Sequence, residues 1–223
     1  MYFRNRADAG RMISEKLEKY KSKNIVIVAL GTSAGIVAAQ VSMELHASML
    51  LYVVKDIYLP GETADAVAGI GTGDVFSYNT ANYSEGQLEE FSSEYHSYIE
   101  QERLLKSHEL HRLMGNDGEI DKNMLRHRTI ILVSDGLKEG FTLEVAVDYI
   151  RTVPIERLII ATPIASVNAV DRMHLLGDEI VCLSVVGYYM DTNHYYDENI
   201  LPQTEGVLTM MRNIPYAWGS HHS

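Results

Sequence analysis

The sequence predicts an α/β protein whose core is an open, mostly parallel sheet flanked by helices, with a long helical insertion. Three observations predict it. The runs IVIVAL at 25–30, TIILVS at 129–134, RLIIATPIA at 157–165 and EIVCLSVV at 179–186 are short, largely apolar and rich in β-branched residues, as strands buried on both faces are. Segments of helical period stand between them. Strand and helix alternate along the chain, which favours parallel pairing through right-handed crossovers.

Each element follows from local chemistry. Residues 7–21 carry Ala9, Met12, Ile13, Leu17 and Tyr20 at helical spacing among charges and read as an amphipathic helix. IVIVAL then gives the first strand, GTSAG a turn, and IVAAQVSMEL a helix. MLLYVV at 49–54 reads as a second strand and leads into KDIYLPGETADAVAGIGTGD, a stretch broken by Gly and Pro and read as a mobile loop. Over 84–114, Ser84 and Gln87 have capping-box spacing, and Leu88, Phe91, Tyr95, Tyr98, Ile99 and Leu105 lie near one stripe, which predicts a long helix. After the turn-rich GNDG come TIILVS, the turn DGLKEG, the helix FTLEVAVDYIRTV, the strand RLIIATPIA, a helix at about 167–176 and the strand EIVCLSVV. One domain over 1–215 with a polar tail at 216–223 accounts for the 223 residues.

Composition narrows the function. A formal net charge of -11 argues against a general affinity for nucleic-acid backbones, although a local pocket can still bind a small anion. The first residues lack the apolar stretch of a signal peptide and no segment is apolar enough to span a bilayer, so a cytoplasmic protein without a membrane partner is expected. Cys182 is the sole cysteine and lies in an apolar run, which excludes an internal disulfide and a thiolate zinc cluster and predicts a buried strand thiol.

In an open parallel sheet, ligands bind beyond the carboxyl ends of the strands, so the turns after IVIVAL and TIILVS are where chemistry is expected. In the second turn Asp135 and Gly136 leave the strand, Gly140 permits tight backbone geometry and Thr142 starts a helix. Free amides at a helix N-terminus beside a hydroxyl form a phosphate cradle. An ordinary turn with Thr142 as a cap is the plainer reading of the same residues.

The wider sequence carries a resemblance. TIILVSDGLKEGFTLEVAVDYIR is similar to the phosphoribosyl-diphosphate motif of type I phosphoribosyltransferases, in which apolar residues precede two acids, Gly, an apolar residue and a Thr-Gly-x-Thr loop. FRNRADAGRMISEKL resembles the Phe-x-Asp-Arg-x-x-Ala-Gly opening of a bacterial branch of that family, VVKDIYLPGE its Val-Arg-Lys-Ile-x-x-Pro-Gly segment, and GYYMDTNHYYDEN its C-terminal end. The resemblance implies that fold, with a small hood, and a homodimer. It implies that Asp135 holds the ribose hydroxyls as the catalytic acid, within a sugar-phosphate site of Ser134, Asp135, Gly136, Leu137, Lys138, Glu139, Gly140, Phe141 and Thr142. Gly31, Thr32, Ser33, Ala34 and Gly35 would meet the diphosphate, and a mobile loop containing Lys55 and Gly61, with the stretch from 60 to 73, would close over the reacting centre. The ligand is then a phosphorylated small molecule, phosphoribosyl diphosphate (PRPP) or a nucleotide monophosphate. Mg²⁺ is expected on the ligand's oxygens, with no protein ligand unless Asp135 shares it.

The sequence departs from the motif at named positions. Ser134 replaces the first acid, Glu139 stands where the family places the first Thr of the loop, GTSAG replaces Pro-Arg-Gly-Gly, and Asn5 replaces the opening Asp. A carboxylate within ~4 Å of a phosphate costs on the order of 1 to 4 kcal/mol, so Glu139 must turn outward for a phosphate to bind. Lys138 offers a compensating charge. A catalytically inactive relative that binds a nucleotide or another phosphate is therefore the alternative to a working transferase.

Other readings compete. GTSAG fits the G-x-S-x-G nucleophile elbow, with Ser33 as nucleophile and Asp135 or Asp178 and His174 or His194 as partners. Gly69, Gly71 and Gly73 imitate a dinucleotide fingerprint but do not join a clear strand to a helix. His108 and His111 could share a metal on the long helix, and His221 and His222 could add a ligand from the tail, although solvated histidines and a free end are the plainer readings. Tyr188, Tyr189, Tyr195, Tyr196 and Trp218 suit an interface in an assembly protein or a cover over a base.

Overall fold

A computed structural model describes residues 2–62, 65–115 and 120–214. Five parallel strands form the central sheet in the order β2-β1-β6-β7-β8: β1 (Ile25–Leu30), β2 (Ser48–Tyr52), β6 (Thr129–Val133), β7 (Arg157–Ser166) and β8 (Glu179–Val186). All six residues of β1 are buried. Ile25, Ile27 and Ala29 face one layer, and Val26, Val28 and Leu30 the other. Each face is covered by helices. Helices α1 (Arg6–Lys16), α2 (Gly35–Leu45) and α7 (Thr204–Asn213) pack on the first, and α5 (Phe141–Ile150) and α6 (Val167–Leu176) on the second.

Strand order reverses direction at the β1/β6 pair, because β2 lies on one side and β7 and β8 on the other. A crevice therefore opens beyond the carboxyl ends of these two central strands. The turns 31–35 and 134–140 both emerge there.

The segment expected as a mobile loop is largely sheet. Strands β3 (Val54–Ile57), β4 (Ala68–Gly71) and β5 (Val75–Tyr78) form a separate antiparallel hood. Lys55 lies in β3, while Gly61 sits in the connection to β4 at φ +83, a backbone setting that favours Gly. The expected strand at 49–54 ends at Tyr52, and the chain changes sheets at Val53, whose amide donates to Thr72 Oγ1 at 3.1 Å. Gly69 and Gly71 belong to β4 because a side chain at 69 would meet the Phe141 ring at 3.0 Å, and one at 71 would collide with Tyr52.

The helical insertion is two helices, α3 (Glu85–Glu94) and α4 (His96–Met114), separated at Tyr95. Ser84 and Gln87 make the expected capping box. The stripe is buried at Leu88 and Ile99, whereas Leu105 is exposed. Cys182 is half-buried, since β8 is an edge strand. Among the described residues no helix is long and apolar enough to cross a membrane. Trp218, His221 and His222 lie outside the described residues.

Candidate functional site

The turn after β6 is anchored on both sides and open in its middle. Ser134 N donates to Ala161 O at 3.0 Å, Leu137 N to Ile164 O at 3.0 Å, and Ser166 Oγ to Lys138 O at 2.6 Å, which ties the loop to β7. Ser134 Oγ donates to Gly136 O at 2.9 Å, and Gly136 N donates back to it at 3.2 Å. Ser134 thus shapes the turn at the position of the motif's first acid. Gly136 has no room for a side chain, because a Cβ would collide with the Tyr189 hydroxyl.

Beyond Leu137 the amides are available. Those of Lys138, Glu139, Gly140, Phe141 and Thr142 make no hydrogen bond among the described residues, and Gly140, the N-cap of α5, provides no side-chain cap. Unpaired amides at a helix start carry partial positive charge. Phe141 contributes only its amide, since its ring is buried against the hood at Gly69. The Thr142 hydroxyl lies half-buried beside the opening. Arg172 lays its side-chain stem on Gly140, where a Cβ would come 2.5 Å from its Cγ, and its guanidinium pairs with Glu144 at 3.3 Å. Burial raises the Glu144 carboxyl above its usual range, and Arg172 only partly offsets this.

Glu139 does not cap these amides. Its Oε2 accepts from Asn82 Nδ2 at 3.3 Å and its Oε1 lies 3.4 Å from Lys138 Nζ, so both oxygens are engaged by side chains rather than by the cradle amides. Lys138 itself is exposed.

The first turn meets the second through one hydrogen bond: Ser33 Oγ donates to Asp135 Oδ1 at 2.9 Å. Gly31, at φ +85, turns the chain out of β1, its amide donating to Tyr52 O at 2.8 Å. Ala34 stands at the N-cap position of α2 without a side-chain cap, and a Cβ at Gly35 would come 2.5 Å from Val207 Cγ2 of α7. Thr32 faces the other way, with Oγ1 3.0 Å from Thr204 Oγ1. It borders a groove of about 770 Å³ that also holds Lys55, Glu109 and Arg112. Lys55 Nζ is 4.0 Å from Glu109, so Lys55 lies on the Thr32 side of the turn, away from Asp135.

Asp135 is buried and its other oxygen is taken by a residue that the sequence did not single out. Arg6, at the start of α1, donates Nε to Asp135 Oδ2 at 2.8 Å. The remaining guanidinium nitrogens reach Asn193 Oδ1 at 2.8 Å and Asn199 Oδ1 at 3.2 Å, and the group lies 4.5 Å above the Tyr196 ring. Tyr196 Oη donates to the Asp135 carbonyl at 2.5 Å. The N-terminal segment reaches this position by pairing with 195–198: Phe3 N donates to Tyr195 O at 2.8 Å and Asp197 N to Phe3 O at 3.0 Å. Asn5, where the motif has Asp, caps α1 by accepting from Asp8 N at 3.0 Å.

Ser33, Asp135, Lys138, Glu139, Thr142 and Thr192 line one cavity of about 340 Å³, within the range of small-ligand sites. A larger cavity of about 800 Å³ lies elsewhere, between Asp74, His111, Lys122 and Tyr149. Size does not choose between them. Only the smaller one combines unpaired helix-start amides with a buried carboxylate at the strand-order reversal.

The hydrolase arrangement is not assembled. The Ser33 hydroxyl bonds Asp135 with no His between them. His194 contacts Tyr2 at 2.8 Å, and Asp178 accepts from Leu158 N at 2.8 Å at the amino end of the sheet, opposite Ser33. His111 lies 3.2 Å from Asp74, and among the described residues no group of three His, Cys, Asp or Glu side chains could hold a metal ion.

Comparison with known proteins gives the chain a family and a fold likeness. The family model for the phosphoribosyl transferase domain matches residues 1–193. Two putative phosphoribosyl transferases of Mycobacterium tuberculosis, from strains CDC 1551 / Oshkosh and ATCC 25618 / H37Rv, are each 26% identical to the chain over 195 residues, covering 87% of it and 43% of their own length. The chain therefore spans less than half of these curated relatives. The crystal structure of TT1426 from Thermus thermophilus superposes with a TM-score of 0.73 at 24% identity, covering 95% of this chain and 98% of that one, a likeness of fold.

Proposed function

Because this chain belongs to the phosphoribosyl transferase domain family, we propose that its crevice binds the 5-phosphate and ribose hydroxyls of a phosphoribosyl ligand, PRPP or a nucleotide monophosphate. The observation that carries this reading is the set of unpaired amides from Lys138 to Thr142 at the start of α5, next to Asp135. A phosphate placed on them gains several charge-assisted hydrogen bonds and the field of the helix. The Glu139 carboxylate is held by Asn82 and Lys138 rather than by these amides, which leaves them open to a phosphate.

In this reading Asp135 accepts from the ribose hydroxyls, and the turn 31–35 meets the diphosphate. Transfer consists of attack by a nitrogen lone pair on the anomeric carbon as the carbon–oxygen bond to diphosphate breaks. Diphosphate leaves with the bonding pair, and the new nitrogen substituent loses its proton. Mg²⁺ fits as a companion of the ligand's oxygens rather than as a resident ion, since both Asp135 oxygens are engaged and Ser134 is turned into its own loop. When bound it would neutralise diphosphate charge. A pairing of two chains belongs to the same reading, motivated by Leu104 and Leu105, which are 62% and 49% exposed on α4.

Binding without transfer is the second reading. It is favoured by the turn 31–35, which aims no cation at a diphosphate, its hydroxyls being bonded to Asp135 and Thr204. Calorimetric titration with PRPP, with and without Mg²⁺, on the wild type and Asp135→Ala separates the two. Mg²⁺-dependent binding lost in the variant supports the transferase. Binding of a nucleotide monophosphate alone supports the binding protein, and absence of both refutes the assignment of this pocket.

A further inference from the structure

The Arg6–Asp135 pair poses a physical question. Side chains of both residues are almost inaccessible, at 2% and 5% exposure. Removing two charges from water costs several kcal/mol, and apolar residues of similar volume often serve a fold as well or better. Stability alone therefore does not explain why a full guanidinium is buried here.

Geometry supplies another reason. All three guanidinium nitrogens have separate acceptors, Asp135, Asn193 and Asn199, and its face rests on Tyr196. A group held at that many points cannot swing, so Asp135 Oδ2 is fixed. Tyr196 also holds the Asp135 main chain through its hydroxyl. The carboxylate is left one oxygen for exchange, Oδ1, whose partner is the Ser33 hydroxyl at 2.9 Å on the wall of the same cavity. A hydroxyl donating to that oxygen makes the bond that a sugar hydroxyl would make.

We infer that Arg6 is a positioning residue: it pins one oxygen of Asp135 so that the other is presented to a ligand hydroxyl, with the Ser33 hydroxyl holding that place until the ligand takes it. The inference rests on the sugar-phosphate reading above. It adds that hydroxyl recognition depends on a residue that touches no ligand, and that Ser33 competes with the sugar.

Calorimetry with inorganic phosphate, ribose 5-phosphate and 2-deoxyribose 5-phosphate tests it on the wild type, Arg6→Met, Arg6→Lys and Ser33→Ala. The wild type is expected to prefer ribose 5-phosphate over its deoxy analogue by about tenfold or more, as for a lost hydrogen bond to a charged acceptor. Arg6→Met should erase that preference while phosphate binds as before, Arg6→Lys should restore part of it, and Ser33→Ala should keep or increase it. A purely structural role for Arg6 would weaken all three ligands together, and that outcome overturns the inference. So does loss of the preference in Ser33→Ala, which would make Ser33 a ligand contact. If Arg6→Met does not fold, Arg6→Lys and Ser33→Ala decide. Phosphate binding without any sugar preference in the wild type rejects the inference alone, whereas no phosphate binding rejects the cradle and the inference with it.

Discussion

Asn82, in the segment that follows the hood, holds Glu139 Oε2 at 3.3 Å and thereby keeps a carboxylate off the stretch of unpaired amides at the crevice. Lys138 assists from the other oxygen at 3.4 Å. The Glu139 side chain is 39% exposed, so its field at the cradle is weakened by solvent. Glu139→Gln should tighten inorganic phosphate binding by about fivefold, on the order of 1 kcal/mol. Titration at rising salt should shrink the gain, because the charge is screened. Equal affinities in wild type and variant at low salt would place the phosphate elsewhere.

Breaking the Arg6–Asp135 pair leaves a buried carboxylate without its cation. Arg6→Met should therefore destabilise the fold by about 3–5 kcal/mol in denaturant unfolding. Arg6→Lys keeps a charge but cannot reach Asp135, Asn193 and Asn199 together, so it should fall between. A loss below about 1 kcal/mol for the Met variant would mean that water or a neighbour compensates Asp135, as exposed pairs permit.

Much of the fold was legible and the reasons are specific. The strands β1, β6 and β7 announce themselves because burial on both faces demands unbroken apolar, β-branched runs, and the half-buried edge strand β8 carries a similar run. The hood does not, since its strands have four residues each and β4 is AGIG, whose glycines answer to Tyr52 and Phe141, neighbours only in space. Helix α7 was missed as well: it lacks a side-chain cap and contains Gly206, so only Val207 and Leu208 mark its buried side. The cradle residues could be found from the strand-to-helix turn. Arg6 stands at the Arg of the Phe-x-Asp-Arg opening, which marks its position but not its role, because at the start of an amphipathic helix an Arg reads as solvated, and its partners lie 129, 187 and 193 positions away.

The tyrosines around Asp135 give the site an alkaline limit. Burial pushes the Tyr189 hydroxyl up to about 12, its bond with Thr192 works against this, and the Asp135 charge adds to it. Burial, then Asp135, also raises Tyr196, while Arg6 opposes. In the unfolded chain these phenols ionise near pH 10. Because the folded values are higher, their contribution to stability is complete below pH 10 and is lost as pH rises toward about 12, the unfolded state releasing its protons first. Denaturant midpoints measured across that window should fall more steeply for the wild type than for a Tyr189→Phe variant. Parallel curves would show that Tyr189 is not buried in solution.

Gly136 offers the sharpest steric test. It leaves the strand directly after Asp135, and a Cβ there would collide with the Tyr189 hydroxyl and come 2.8 Å from Thr192 Cγ2. The Tyr189–Thr192 hydroxyl contact, 2.9 Å long, has to open to make space. Tyr189 is nearly buried and packs on Tyr195 with ring centroids 5.3 Å apart, so it cannot simply rotate into solvent. Gly136→Ala should therefore cost about 1–3 kcal/mol, as overpacking does in a filled core. The displacement should also propagate to the main chain of Asp135, which Tyr196 holds by its carbonyl. Ribose 5-phosphate affinity is accordingly expected to drop more than inorganic phosphate affinity, because the unpaired amides begin two residues further on, at Lys138. Equal losses for the two ligands would mean that the turn moves as one body and that Asp135 and the amides do not form separable parts of the site.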